Sequence, residues 1–208
     1  KIRELYRPKQ IFVAQGCVSD IIQDELQMTA ADFTDETGIP VLVLETAGYR
    51  GSFLDGYEAA ARALLSLMSG EKRADRECPK INLLGLGTDD FRLEADIKAI
   101  RELLGDKAEI GCVLGKCSLE ELKNAGTADL NICFGRGLKL AEAMEKKFRI
   151  PYAEVPYPYG LTGAKALWGV LREQFGLDYS KEEAEFRRFT GEKLKRVYSY
   201  LESLYGVP

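Results

Sequence analysis

Gln10-Ile11-Phe12-Val13-Ala14-Gln15-Gly16-Cys17-Val18-Ser19-Asp20-Ile21-Ile22-Gln23-Asp24-Glu25-Leu26 decides the fold class, because a short apolar run breaks at Gly16 and passes into a mixed segment that reads as a helix from about Ser19. A strand that feeds a helix through a tight turn is the opening half of a βαβ unit. The same design recurs at Leu130-Asn131-Ile132-Cys133-Phe134-Gly135-Arg136-Gly137. In both places a cysteine, Cys17 or Cys133, falls at the carboxyl edge of the strand. Open α/β sheets bind ligands at that edge, and the N–H groups of a following helix favour a thiolate. Cysteine is also a common small core residue, and either thiol read alone fits a packing role.

Working outward, Pro40-Val41-Leu42-Val43-Leu44 precedes a helix expected over residues 54–68, where Ala59, Ala60, Ala63, Leu64 and Leu67 recur at helical spacing. The first half therefore reads β-α-β-α. Glu71-Lys72-Arg73-Ala74-Asp75-Arg76-Glu77-Cys78-Pro79 is charged, aperiodic and closed by proline, which predicts a linker. A second series follows: a strand at 81–86 and a helix at 94–104 stopped by Gly105, a strand at 109–113 and a helix at 119–123, a strand at 130–134 and a helix at 138–147. A fourth strand at 149–155 turns through 157–163 into a helix at 164–174. A long charged helix is expected over 181–204, with Phe186, Phe189, Leu194, Val197, Tyr198 and Leu201 along one stripe. Regular alternation predicts parallel sheets with right-handed crossovers. The expected fold class is thus α/β: two consecutive Rossmann-like parallel-sheet units flanked by helices, plus a long C-terminal helix. The expected divisions are 1–72 for a partial first α/β domain, 79–176 for a second, and 177–208 for the C-terminal helix.

The 208 residues, 46% of them hydrophobic, suffice to bury a sizeable core. A net charge of -4, with basic residues mixed among acids, leaves no basic stripe for a phosphate backbone, so nucleic acid is not an expected partner. No apolar run approaches the ~20 residues that span a bilayer, and no charged-then-apolar leader precedes the first strand. The expectation is a cytoplasmic chain with no membrane partner. Five scattered cysteines do not read as a secreted disulfide framework. The sequence contains no histidine, which removes Ser-His-Asp triads, Cys-His pairs and His-based metal sites at once.

Four stretches carry a family resemblance. The segment from Gly16 to Leu26 resembles a cysteine followed closely by an Ile-Gly-Asp-Asp box, with Gln23 in place of the glycine. Gly38 to Leu44, running into Ala47-Gly48-Tyr49-Arg50-Gly51-Ser52-Phe53-Leu54-Asp55-Gly56-Tyr57, resembles a proline-led strand with its aromatic, basic and glycine loop. Leu130 to Pro151 resembles a cysteine-bearing strand before a Met-Glu-Glu-Lys-Tyr-Gly-Ile-Pro-type helix end, here Met144-Glu145-Lys146-Lys147-Phe148-Arg149-Ile150-Pro151. Tyr157-Pro158-Tyr159-Gly160-Leu161 resembles the turn that follows. In this order and spacing they are similar to the nitrogenase component 1 family, which includes molybdenum-iron protein subunits, cofactor-assembly scaffolds and dark-operative protochlorophyllide reductase relatives.

The resemblance implies that Cys17 is a metal ligand of an iron-sulfur cluster of the four-iron or P-cluster type, shared between subunits. It implies that Cys133 anchors an iron-molybdenum-type cofactor or its precursor, as in alpha-like and scaffold-like members, although the Tyr49 to Ser52 loop has a beta-like look. The implied partners are a homologous component 1 subunit and an ATP-dependent iron-protein reductase. The family's further N-terminal cysteines and its cofactor-binding histidine are missing here, so the expectation is a fragment or truncated member with an incomplete ligand set.

Other residues carry weaker signals. Arg50 and Arg136 fall in crevice-edge loops where a guanidinium could bind a carboxylate or a cluster sulfide, or simply be solvated. Gly85-Leu86-Gly87-Thr88-Asp89 could hold a phosphate but lacks a third glycine, and reads better as a tight turn. Cys112 and Cys117 match no zinc spacing. Trp168 and the tyrosines of 157–159 are expected to pack a helix on the sheet. Three functions follow: an electron-transferring nitrogenase-like oxidoreductase subunit, a scaffold on which a metal cofactor is built, and an ordinary small-molecule-binding module with structural cysteines.

Overall fold

A computed structural model describes residues 2–22, 25–70 and 76–201. In chain order the elements are α1 (Ile2–Tyr6), β1 (Ile11–Ala14), α2 (Cys17–Ile21), α3 (Leu26–Thr37), β2 (Val41–Leu44), α4 (Phe53–Ala63), β3 (Lys80–Leu84), α5 (Leu93–Leu104), β4 (Glu109–Val113), α6 (Leu119–Lys123), β5 (Leu130–Cys133), α7 (Leu138–Phe148), β6 (Tyr152–Glu154), α8 (Gly160–Phe175) and α9 (Ser180–Leu201). Strands β1 and β2 pair in parallel, and a second parallel sheet has the order β4-β3-β5-β6. The α/β class with two parallel sheets and a long C-terminal helix is therefore what the strand-helix alternation predicted.

The four-stranded sheet is buried on both faces, and the strand period of two sorts its residues between them. Ile81 and Leu83 of β3 and Leu130 and Ile132 of β5 join one core with Ile97, Ile100 and Leu104 of α5 and Leu167, Trp168 and Leu171 of α8. Leu84 and Cys133 point into the other, built with Leu140, Ala141 and Met144 of α7 and with Ala61 and Met68 from the first half. Trp168 donates to the carbonyl of Leu103 and Tyr179 to that of Leu104, so two large rings also satisfy carbonyls at the end of α5.

One irregularity shapes the edge of the sheet. The β3–β4 register places Ile81 against Ile110 but Leu83 against Val113, so Gly111 and Cys112 together oppose Asn82. This is a β-bulge. The fully buried Asn82 side chain meets it by accepting from Cys112 N at 3.0 Å while donating to Ala125 O and Asn131 Oδ1, each at 2.9 Å.

Several sequence expectations shift in detail. The helix expected from Ser19 begins at Cys17, stops at Ile21 and resumes as α3; the position of Gln23 lies outside the described residues. The helix expected over 54–68 ends at Ala63 and tightens into a 3-10 turn, Leu64–Leu67. Residues 71–75 of the expected linker and 202–204 of the last helix also lie outside the described residues. Of the stripe on α9, Phe186 packs edge-on against Trp168, whereas Phe189, Leu194, Val197 and Tyr198 are exposed. Tyr159 is exposed too: its hydroxyl reaches Asp96 and its ring stacks on Tyr157, outside the core. Among the described residues no helix is long and apolar enough to cross a membrane.

Glu58 of α4 is buried, and its carboxylate reaches across to the start of α7. It accepts from the backbone N–H of Gly137 at 2.6 Å, Leu138 at 3.2 Å and Lys139 at 3.0 Å. Gly137 sits at the N-cap with φ 83° and has no side chain to serve those donors, so a residue 79 positions away does so. Truncation would leave buried N–H groups unpaired. Glu58→Ala is expected to destabilise the chain by about 2–3 kcal/mol, with Glu58→Gln intermediate, read as the shift in urea unfolding midpoint. An unchanged midpoint for Glu58→Ala would remove this cap from the account.

Candidate functional site

The loops at the carboxyl ends of β1 and β2 meet around Cys17. Its thiol is exposed, and it occupies the first position of α2 behind the N-cap Gly16. The 3-10 turn Gly48–Arg50 lies against it: a Cβ built on Gly48 would stand 3.6 Å from Cys17 Sγ, so the absent side chain brings backbone close to sulfur. Val18, Ile21 and Ile22 beside it are exposed as well. An accessible thiol at a strand end is not the packed core residue that the sequence alone also allowed for Cys17.

Asp20, one helical turn on, ties the two loops together. Arg50 binds its carboxylate bidentately, with Nε at 2.7 Å from Oδ2 and Nη2 at 2.5 Å from Oδ1, and the Tyr49 hydroxyl donates to Oδ2 as well. Arg50, and then Tyr49, hold the Asp20 carboxyl below the usual carboxylate range, while that carboxylate pushes Tyr49 and Arg50 up. Arg50 thus binds a carboxylate, as its position suggested, but one from its own chain. Half of its side chain remains exposed and lines two grooves, one of about 560 Å³ with Asp20, Tyr49 and Gln15, the other of about 850 Å³ with Gly51, Ser52, Asp55, Lys139 and Lys147.

Cys133 departs from expectation. A thiol that anchors a large cofactor must open into a groove the group can enter. Instead Cys133 is 1% exposed, within the core formed by Leu140, Ala141, Met144 and Ala61. The cause is its pleat position: it points to the face covered by α7 and by α4, which the Glu58 cap draws down. Burial, together with the charges of Glu154 and Glu58, pushes its thiol up to about 12. A groove of about 480 Å³ does open at this edge, lined by Phe134, Gly135, Glu154, Val155, Pro156 and Tyr157, past the sulfur.

Arg136 is neither solvated nor available. Its Nε donates to Gly85 O at 3.0 Å, Nη1 to Asp89 at 2.7 Å and Nη2 to Asp90 at 2.9 Å, over the ring of Tyr57. Burial works against its charge, but Asp89 and Asp90 outweigh it and hold the pKa above the usual value. The Gly85 to Asp89 segment is a tight turn, as expected, and the N–H of Gly87 is taken by Asp90 at 2.7 Å, where a phosphate would have needed it.

The structure therefore sets Cys17 beside the turn that carries Arg50 at one sheet and, at the other, buries Cys133 while Asp89 and Asp90 hold Arg136. Among the described residues no three or more Cys, Asp or Glu side chains converge to hold a metal ion. Sequence reasoning passed over Asp20 and Glu58. Asp20 was legible as a carboxylate three residues beyond Cys17, and Glu58 as a charge directly before the alanines of an apolar helix.

Asp20 generates a pH expectation with a defined sign. Its pKa is lowered by folding, so the stability it contributes is present above its unfolded value of about 3.9 and is lost as pH falls through the folded value. Wild type should exceed Asp20→Asn in thermal midpoint at pH 7, and the gap should shrink as pH is lowered past 4 towards 2. A gap of constant size across that range would contradict the clamp.

Comparison with known proteins bears on this geometry. The profile of the family described as nitrogenase component 1 type oxidoreductase matches residues 1–207. The chain is 38% identical over 163 residues to the nitrogenase iron-molybdenum cofactor biosynthesis protein NifE of Clostridium pasteurianum, covering 76% of this chain and 34% of that protein. It is 29% identical over 155 residues to the nitrogenase molybdenum-iron protein alpha chain of the same organism, covering 72% of this chain and 28% of that one. A solved structure titled "Nitrogenase Cp1 at pH 6.5" superposes with a TM-score of 0.67 at 24% identity, over 97% of this chain and 38% of that one, which speaks for the fold. The chain spans about a third of the length of these curated relatives. With a profile match along nearly its whole length, the chain belongs to the nitrogenase component 1 type oxidoreductase family.

Proposed function

We propose that this chain is part of a scaffold subunit on which an iron-sulfur-based metal cofactor is built or carried, with Cys17 contributing one thiolate to a cluster shared with a homologous subunit. The observation that carries the reading is the exposed thiol of Cys17 at the carboxyl end of β1, against a glycine that leaves room beside the sulfur. The 38% identity to a cofactor biosynthesis protein supports the scaffold role in particular. Cys17 fits as a single ligand, because its exposed sulfur can reach a group lying between two chains. Such a cluster supplies one-electron transfer and a thiolate-bound attachment point when bound. Cys133 fits less well: as a cofactor anchor it would need the covering helices α4 and α7 to part.

The second reading is an electron-transferring oxidoreductase subunit served by an ATP-dependent iron-protein reductase, and the 29% identity to a molybdenum-iron protein alpha chain favours it. Both readings use the same thiol. They separate by readout: a scaffold passes its cluster to an acceptor apoprotein, whereas an oxidoreductase reduces a substrate when the reductase and ATP are supplied. The division into residues 1–72, 79–176 and 177–208 belongs to the same proposal.

The test uses the full-length protein that contains this chain, reconstituted with iron and sulfide without oxygen. Cys17→Ser should lose most of the bound iron of one cluster while changing stability by no more than about 0.5 kcal/mol. Before reconstitution Cys17 should react with a maleimide at once, and Cys133 only as fast as the protein opens, and the bound cluster should protect Cys17. Retention of all cluster iron by Cys17→Ser would sink the proposal.

A further inference from the structure

Cys112 and Cys117 are brought together by two local devices independent of the Cys17 site. The bulge at Gly111 and Cys112 re-aims the end of β4. Beyond it the chain turns back sharply, with Lys116 N and Cys117 N both donating to Val113 O at 3.0 and 2.9 Å. As a result Cys112 Sγ donates to Cys117 Sγ at 2.8 Å. The two thiols differ in environment. Cys112 is buried among Leu114, Leu122 and Ala125, whereas Cys117 is half-buried and lines an opening of about 150 Å³ with Arg101, Gly111, Lys116 and Glu121. That volume admits a molecule the size of hydrogen peroxide, since a water takes about 30 Å³ of liquid volume.

We propose that Cys112 and Cys117 form a reversible dithiol-disulfide pair oxidised by hydroperoxides, with Cys117 as the attacking thiol and Cys112 as the resolving one. The hydrogen bond from Cys112 lowers the Cys117 pKa and raises that of Cys112, which distributes the roles in the same sense as exposure does. In the first step the Cys117 thiolate attacks a peroxide oxygen and the O–O bond breaks. Cys117 becomes a sulfenic acid, and the departing hydroxide takes up the proton that Cys117 released, giving one water. In the second step Cys112 Sγ attacks the sulfenic sulfur and the S–O bond breaks. Hydroxide leaves with the Cys112 proton as a second water, and the S–S bond forms. Two thiols lose two electrons and two protons, and one hydrogen peroxide becomes two waters. A dithiol reductant reverses the change. The new bond would join the edge strand β4 to the residue before the N-cap of α6, Ser118.

The experiment treats the reduced chain with hydrogen peroxide at equimolar concentration, blocks remaining thiols with N-ethylmaleimide, and maps the digest by mass spectrometry. Lys116 lies between the two cysteines, so trypsin leaves the joined peptides covalently linked. Wild type should yield the Cys112–Cys117 cross-link, lighter by two hydrogens and released by dithiothreitol. Cys117→Ser, altered at the more exposed position, should abolish the cross-link and slow oxidation of Cys112 at least about tenfold. Cys112→Ala should leave Cys117 as a sulfenic acid that dimedone traps. Full alkylation of both wild-type thiols after peroxide, or conversion of Cys117 to an irreversible sulfinic acid without the cross-link, would overturn the proposal, and both results are read on wild type.

Discussion

The amino end of α7 offers three backbone N–H groups where the N-cap residue, Gly137, has no side chain to receive them, and Glu58 supplies the acceptor from the opposite half of the chain. A buried carboxylate is tolerated because it meets donors at the positive end of a helix. This contact sets how α4 lies on α7, and with it which face of the four-stranded sheet is closed. Leu84, Cys133, Met144 and Ala61 share one core because Glu58 holds the two helices together there. The burial of Cys133 is therefore a consequence of helix capping as much as of strand pleat.

The two arginines singled out by their position in crevice loops are both engaged by acids of the same chain. Arg50 clasps Asp20 and so joins the loops after β1 and β2, while Arg136 bridges Asp89, Asp90 and a carbonyl at the turn after β3. In each case a planar guanidinium spans two loops with directional hydrogen bonds. The difference lies in exposure. Arg50 keeps a face toward the two grooves it lines, and Arg136 is shut behind its partners.

Four of the five cysteines fall into three kinds of environment. Cys17 is exposed at a strand end, Cys133 is sealed with its thiol pushed up by burial, and Cys112 and Cys117 share a hydrogen bond at a bulged edge. Reactivity follows solvent access and neighbours. Ligand chemistry is therefore proposed for Cys17, redox chemistry for the pair, and packing in this arrangement for Cys133.

The sequence by itself determined the α/β class, most strand and helix positions and the family, because apolar periodicity and turn residues act over a few neighbours at a time. Residues 119–123 and 109–113 were legible to the residue, and Gly105 was legible as a helix stop, since local capping and short stretches of small and apolar residues settle them. Only the tertiary structure decided which cysteine faces water. Cys17 and Cys133 look alike in sequence, each at a strand end before a helix. What differs is the covering layer: two helices, joined through a glutamate 79 positions away from the glycine it caps, lie over Cys133, whereas Cys17 stays exposed with the Gly48 turn beside it. The pairing of Cys112 with Cys117 was equally hidden, because it depends on a bulge that is defined only against Asn82 of the neighbouring strand. Contacts between residues far apart in the chain leave no period to read, and they decide which face of a strand is covered.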